Sequence, residues 1–66
     1  MKIKNICAVI TGTPVNVFSQ SAHDYLAWEC SPEVVGEKLA DERVIEVYSV
    51  YPERSDKWPP ITIVVA

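Results

Sequence analysis

The spacing of apolar and polar positions divides the chain into short segments separated by turn-forming residues. Residues 3–10 (IKNICAVI) are rich in β-branched side chains and predict a strand, with Ile3, Asn5, Cys7 and Val9 on one face and Lys4, Ile6, Ala8 and Ile10 on the other. Both faces become largely apolar towards its end, which suggests a central place in a sheet. Thr11-Gly12-Thr13-Pro14 then turns the chain, since the glycine is flexible and the proline has no amide to give to a ladder. Val15 to Phe18 reads as a second, short strand.

Two helices are expected in the middle. Ser21 followed by Asp24 has the form of a capping box, in which a hydroxyl and a carboxylate satisfy the free amides of a first turn. It predicts a helix from Ala22 to Glu29 that turns Tyr25, Leu26 and Trp28 towards the core. Ser31-Pro32-Glu33 restates a helix start, with a good N-cap, a proline at the first helical position and an acid at the positive helix end. This second helix runs to Ala40, packs Val35 and Leu39 with Val34 at the margin, and loses about 1 kcal/mol to Gly36 relative to alanine.

From Arg43 to Tyr51 the period becomes two, with Ile45, Val47 and Tyr51 on one face and Val44, Tyr48 and Val50 on the other. Pro52 to Pro60 is a polar loop bounded by prolines, and Ile61 to Ala66 is a last strand. The order ββααββ predicts an α+β fold: one small domain over 1–66, with an antiparallel β-sheet of three or four strands and two short helices packed on one side.

Length limits what such a domain can do. A chain of 66 residues buries only about 60 % of the surface that its unfolded form exposes, so large active-site architectures are excluded. Hydrophobic residues make up 48 % and charged residues 23 %, which suits a globular chain and excludes disorder. The net charge is −3, and the acid is concentrated: residues 20–53 hold eight acids against Lys38 and Arg43. Such a surface repels phosphate and anionic lipid, so neither direct nucleic-acid binding nor membrane association is expected.

Candidate chemistry follows from this charge. Glu29, Glu33, Glu37 and Asp41 recur at spacing four, and with Pro32 breaking any continuous helix, Glu33, Glu37 and Asp41 are expected to share a face of the second one. Like charges at this spacing oppose the helix by about 0.2–0.5 kcal/mol per pair, so they point to a binding face for a basic partner; the plainer reading is a solvated surface. The loop before the last strand adds Arg54 and Trp58, residue types that dominate interface hot spots, unless Trp58 instead folds over the core. His23 lies beside Asp24, Ser19 and Ser21, but neighbours on one turn do not converge as a catalytic set, and no metal-ligand spacing or phosphate loop occurs. No cofactor is expected. Cys7 and Cys30, with 22 residues between them, read as reduced packing residues; a single disulfide is the alternative and needs an oxidising compartment.

In size and acidity the chain resembles the small inhibitor proteins that phages and mobile elements direct against host machinery, such as anti-CRISPR and antirestriction proteins. The likeness carries no aligned motif and transfers no residue. It implies a non-enzymatic protein that blocks a larger protein with a basic groove; the acidic spacing itself puts the contact at Glu29, Glu33, Glu37 and Asp41, the loop adds Arg54 and Trp58 as anchors, and reduced cysteines with no membrane-length apolar run make the cytoplasm the expected place. The alternative is a structural subunit or homodimer assembling through exposed strand edges, with the uncharged segment Ile61 to Ala66 as the candidate edge.

Overall fold

The computed structural model describes residues 1–49 and 60–66. They form α1 (Ile3–Cys7), β1 (Val15–Ser19), β2 (Asp24–Cys30), α2 (Pro32–Lys38), β3 (Val44–Ser49) and β4 (Ile61–Val65). The α+β class holds, with four strands and two helices, but the sheet is mixed. Its order is β2-β1-β4-β3, with antiparallel pairs β1–β2 and β3–β4 joined by a parallel pair, β1–β4. The expected antiparallel sheet is corrected for a topological reason. The connection through α2 takes the chain from β2 at one edge to β3 at the other, so the two inner strands meet running the same way.

The segment expected as a first strand is a helix. Ile3, Ile6, Cys7 and Ile10 stand at helical spacing, and all four belong to the core or pack against it, whereas Val9 is 77 % exposed. Helix propensity costs an isoleucine at most about 0.7 kcal/mol. Burying one side chain of that size returns about 1.5–3 kcal/mol, so burial decides the conformation. The chain on either side of Lys2 is tied to the start of β3: Ile3 N–H donates to the Glu42 carbonyl at 2.9 Å and Val44 N–H to the Met1 carbonyl at 2.8 Å. Gly12, at φ +75°, makes the turn that leads on to β1.

The segment expected as the first helix is the strand β2. Ser21 and Asp24 form a turn instead of a cap: the Ser19 and Ser21 hydroxyls are 3.3 Å apart, Ala22 N–H donates to Ser19 Oγ, and Tyr25 N–H donates to Asp24 Oδ1. Side chains that cap helices also close tight turns, and only the tertiary setting separates the two uses. Two bulges hide the strand period. Val17 faces Ala27 while Phe18 faces Tyr25, which leaves Leu26 unopposed; Val15 faces Cys30, which leaves Asn16 opposite both Trp28 and Glu29. Glu29 takes φ 48° there, and its N–H donates to Oδ1 of the buried Asn16 at 2.6 Å.

One face of β1 and β4 makes the core. Val15, Val17, Ile63 and Val65 pack with Ile3 and Cys7 of α1 and Val35 of α2, so both helices lie on the same side of the sheet. α2 starts at Pro32 as expected and ends at Lys38, slightly short of Ala40. Its Gly36 lies close against α1, because a β-carbon there would lie 3.1 Å from Cys7 Cβ. β4 is a central strand, paired on both sides, so the edges of the sheet are β2 and β3. On β3 a bulge at Ile45 interrupts the expected alternation, with Val44 opposite Val65 and Glu46 opposite Val64. Val50 and Tyr51, expected at the end of this strand, lie outside the described residues.

Candidate interaction surface

The four acids at spacing four do not form one line. Glu33 and Glu37 are exposed on α2, one turn apart, and Glu29 is exposed in the bulge that ends β2. Asp41, expected on the same helix, lies beyond it. Leu39 leaves helical geometry at ψ 28°, and Glu42 N–H donates to the Leu39 carbonyl at 3.1 Å, so the chain turns away before Asp41. There Asp41 Oδ1 is 3.4 Å from Lys2 Nζ. With the two side chains 82 % and 54 % exposed, that pair contributes at most about 1 kcal/mol, but it does place a cation beside this acid. Arg54 and Trp58, the expected anchors, lie outside the described residues.

A second group was not visible as a site in the sequence. Tyr25, Leu26 and Trp28, expected to turn to the core of a helix, are exposed instead, Tyr25 at 44 % and Trp28 at 58 %. In a regular strand, residues three apart point to opposite faces. The extra residue at Leu26 shifts the alternation by one, and Tyr25 and Trp28 come together with ring centroids 4.9 Å apart at 88°. Phe18 continues the row, 5.1 Å from Tyr25 at 72°, and His23 stands 5.8 Å from Phe18. These are edge-to-face arrangements, in which the positive edge of one ring meets the negative face of the next. The aromatic row occupies the side of the sheet opposite the helices, since Phe18 alternates with the core residue Val17. The signal available in the sequence was the run from Asp24 to Cys30, bounded by turn residues at both ends.

Charge is distributed unevenly around both groups. Between Lys4 and Lys38 the chain has no lysine or arginine, and its four charged residues are Asp24, Glu29, Glu33 and Glu37. β2 and α2 thus carry acid with no cation beside it in sequence until the last turn of α2; in space, Lys4 of α1 lines the same shallow groove as Glu33.

The remaining polar groups serve the fold. His23 sits exposed in the β1–β2 turn at φ 55°, and the Ser19 and Ser21 hydroxyls and the Asp24 carboxylate are engaged in the hydrogen bonds of that turn. Cys7 and Cys30 are free thiols; burial raises the pKa of Cys7, and half-buried Cys30 directs its thiol at the Trp28 carbonyl. A shallow groove of about 180 Å³ runs between β2 and α2, lined by Leu26, Cys30, Val34 and Lys38 among others. Among the described residues no group of three or more His, Cys, Asp or Glu side chains is placed to hold a metal ion, and no helix is long and apolar enough to cross a membrane. No protein-family model, curated protein or solved structure matches the chain.

Proposed function

We propose that the protein is a non-enzymatic interaction module that binds and blocks a basic surface of a larger protein through Glu29, Glu33 and Glu37. The observation that carries this reading is the exposure of three acids on the consecutive elements β2 and α2, with no lysine or arginine between Lys4 and Lys38. The Glu33–Glu37 repulsion costs α2 about 0.2–0.5 kcal/mol, a cost that a cationic partner turns into attraction. Asp41 is left out of the binding set because Lys2 already faces it. A nucleic-acid-processing complex suits such a partner, because its groove is basic and an acidic plug competes with the phosphates. This is the mode of action implied by the likeness in size and acidity to anti-CRISPR and antirestriction inhibitors.

The test is capture from host lysate with three chains: wild type, Glu29→Lys/Glu33→Lys/Glu37→Lys, and Asp41→Lys. Circular dichroism first establishes that all three fold. A stoichiometric partner should be held by the wild type and by Asp41→Lys, released by added salt, and lost in the triple variant. Retention by the triple variant would overturn the acidic-face reading.

A second reading rests on β3, an edge strand on which Ile45, Val47 and Tyr48 are all exposed. Self-association along that edge is the alternative. The Lys2–Arg43 bridge already occupies the start of this strand, which shortens the edge left for a second copy. A mass in light scattering that rises with concentration and falls in a Val47→Lys variant would support it over the acidic module.

A further inference from the structure

We propose that the aromatic face of β2 reads a cationic side chain: an arginine-bearing segment of a partner protein docks its guanidinium against Trp28 and Tyr25, drawn there by the negative charge of a strand whose charged residues are Asp24 and Glu29. The inference rests on the reading that the partner is basic, and it names the chemical group and the place of recognition.

Three observations carry it. First, Trp28 and Tyr25 stand perpendicular at 4.9 Å and Phe18 supports Tyr25 at 5.1 Å, so the rings brace one another and have less rotamer freedom left to lose on binding. Secondly, Trp28 is the aromatic that attracts cations best, and here it is 58 % exposed on the side of the sheet that the helices leave open. Thirdly, Asp24 precedes Tyr25 and Glu29 follows Trp28 in the sequence, both acids are exposed, and no lysine or arginine occurs between Lys4 and Lys38. Aromatic sheet faces also stack nucleobases, but such faces work beside cations that hold the phosphates. This strand has only acids, which favours a guanidinium over a nucleotide. Strand addition by a second copy is disfavoured at β2, because two bulges interrupt the edge that it would pair with.

The probe is a fluorescein-labelled hexa-arginine peptide, with hexa-citrulline as its uncharged isostere and oligothymidylate as a nucleic-acid control, titrated by anisotropy against the full chain. The arginine peptide should bind, with the citrulline peptide at least about tenfold weaker. Trp28→Ala should weaken binding by roughly tenfold, with Trp28→Phe recovering part of the loss. In a Trp58→Phe chain Trp28 is the sole tryptophan, so its emission should change on titration, and stepwise fluorination of that indole should lower the affinity progressively. If Glu33→Lys/Glu37→Lys abolishes binding and Trp28→Ala does not, the aromatic site is wrong and the helix face remains. The reverse result upholds the aromatic site and removes the helix face; both variants losing binding upholds both. Equal binding of citrulline, binding of oligothymidylate, a self-associated state dispersed by Trp28→Ala, or no binding of the arginine peptide would each overturn the inference.

Discussion

Gly36 shows how a single residue can oppose its own element and still be required. It lowers the stability of α2 by about 1 kcal/mol relative to alanine, yet it lies close against α1, where a β-carbon would sit only 3.1 Å from Cys7 Cβ. The helices meet there over the buried thiol of Cys7, so a larger side chain has to separate them and open the core beneath. Gly36→Val should cost about 2–3 kcal/mol, and Gly36→Ala much less, because its gain in propensity offsets part of the collision. Urea midpoints of the two variants check this, and a Gly36→Val chain as stable as the wild type would show that the contact is not tight. The glycine was legible as a helix weakness; its reason was not, because Cys7 was assigned to a strand and its helical partner could not be foreseen.

At the scale of elements, β1, α2, β3 and β4 follow from composition and from boundaries such as Pro32, although the bulge at Ile45 interrupts the alternation of β3 and its expected end lies outside the described residues. α1 and β2 exchanged identities. For α1 the spacing of Ile3, Ile6, Cys7 and Ile10 was present, but β-branched composition outweighed it. For β2 the period itself is broken by the bulges at Leu26 and Glu29, and no local rule restores it. The same bulges decided how much of the site was visible. Exposed acids follow from charge alone, whereas the meeting of Tyr25 and Trp28 depends on one inserted residue. Asn16 should be what holds the second bulge, at Trp28 and Glu29, as its carboxamide oxygen accepts from Glu29 N–H at 2.6 Å. Asn16→Ala is expected to cost about 1–3 kcal/mol and to diminish the near-UV dichroism of the ring pair. Glu29→Gly, which relieves the left-handed backbone, should gain about 1 kcal/mol. Unchanged melting and unchanged near-UV spectra in both variants would show that the bulge is held by other means.

Across the whole molecule the decisive feature is the position of β4. It pairs with β1 on one side and β3 on the other and supplies Ile63 and Val65 to the core, so neither antiparallel pair can be joined to the other without it. A chain of residues 1–60 should therefore show no cooperative thermal transition, and addition of a peptide spanning 61–66 in excess should restore one if the rest of the fold is intact. A cooperative transition in the shortened chain alone would contradict the central role of this strand. The mixed sheet was not legible for the same reason: parallel pairing of residues 15–19 with 61–65 is a long-range event that no local pattern records.

That placement also sets an order in time. Of the six elements, β4 is the last to be synthesised, and until it exists the apolar faces of β1, α1 and α2 have no common surface to close on. The parallel pairing of residues 15–19 with 61–65 requires closing a loop that spans most of the sequence. Such a closure is slow compared with forming a hairpin. Until that pairing forms, the apolar side chains that β4 covers are exposed, and a chain in that state is open to aggregation.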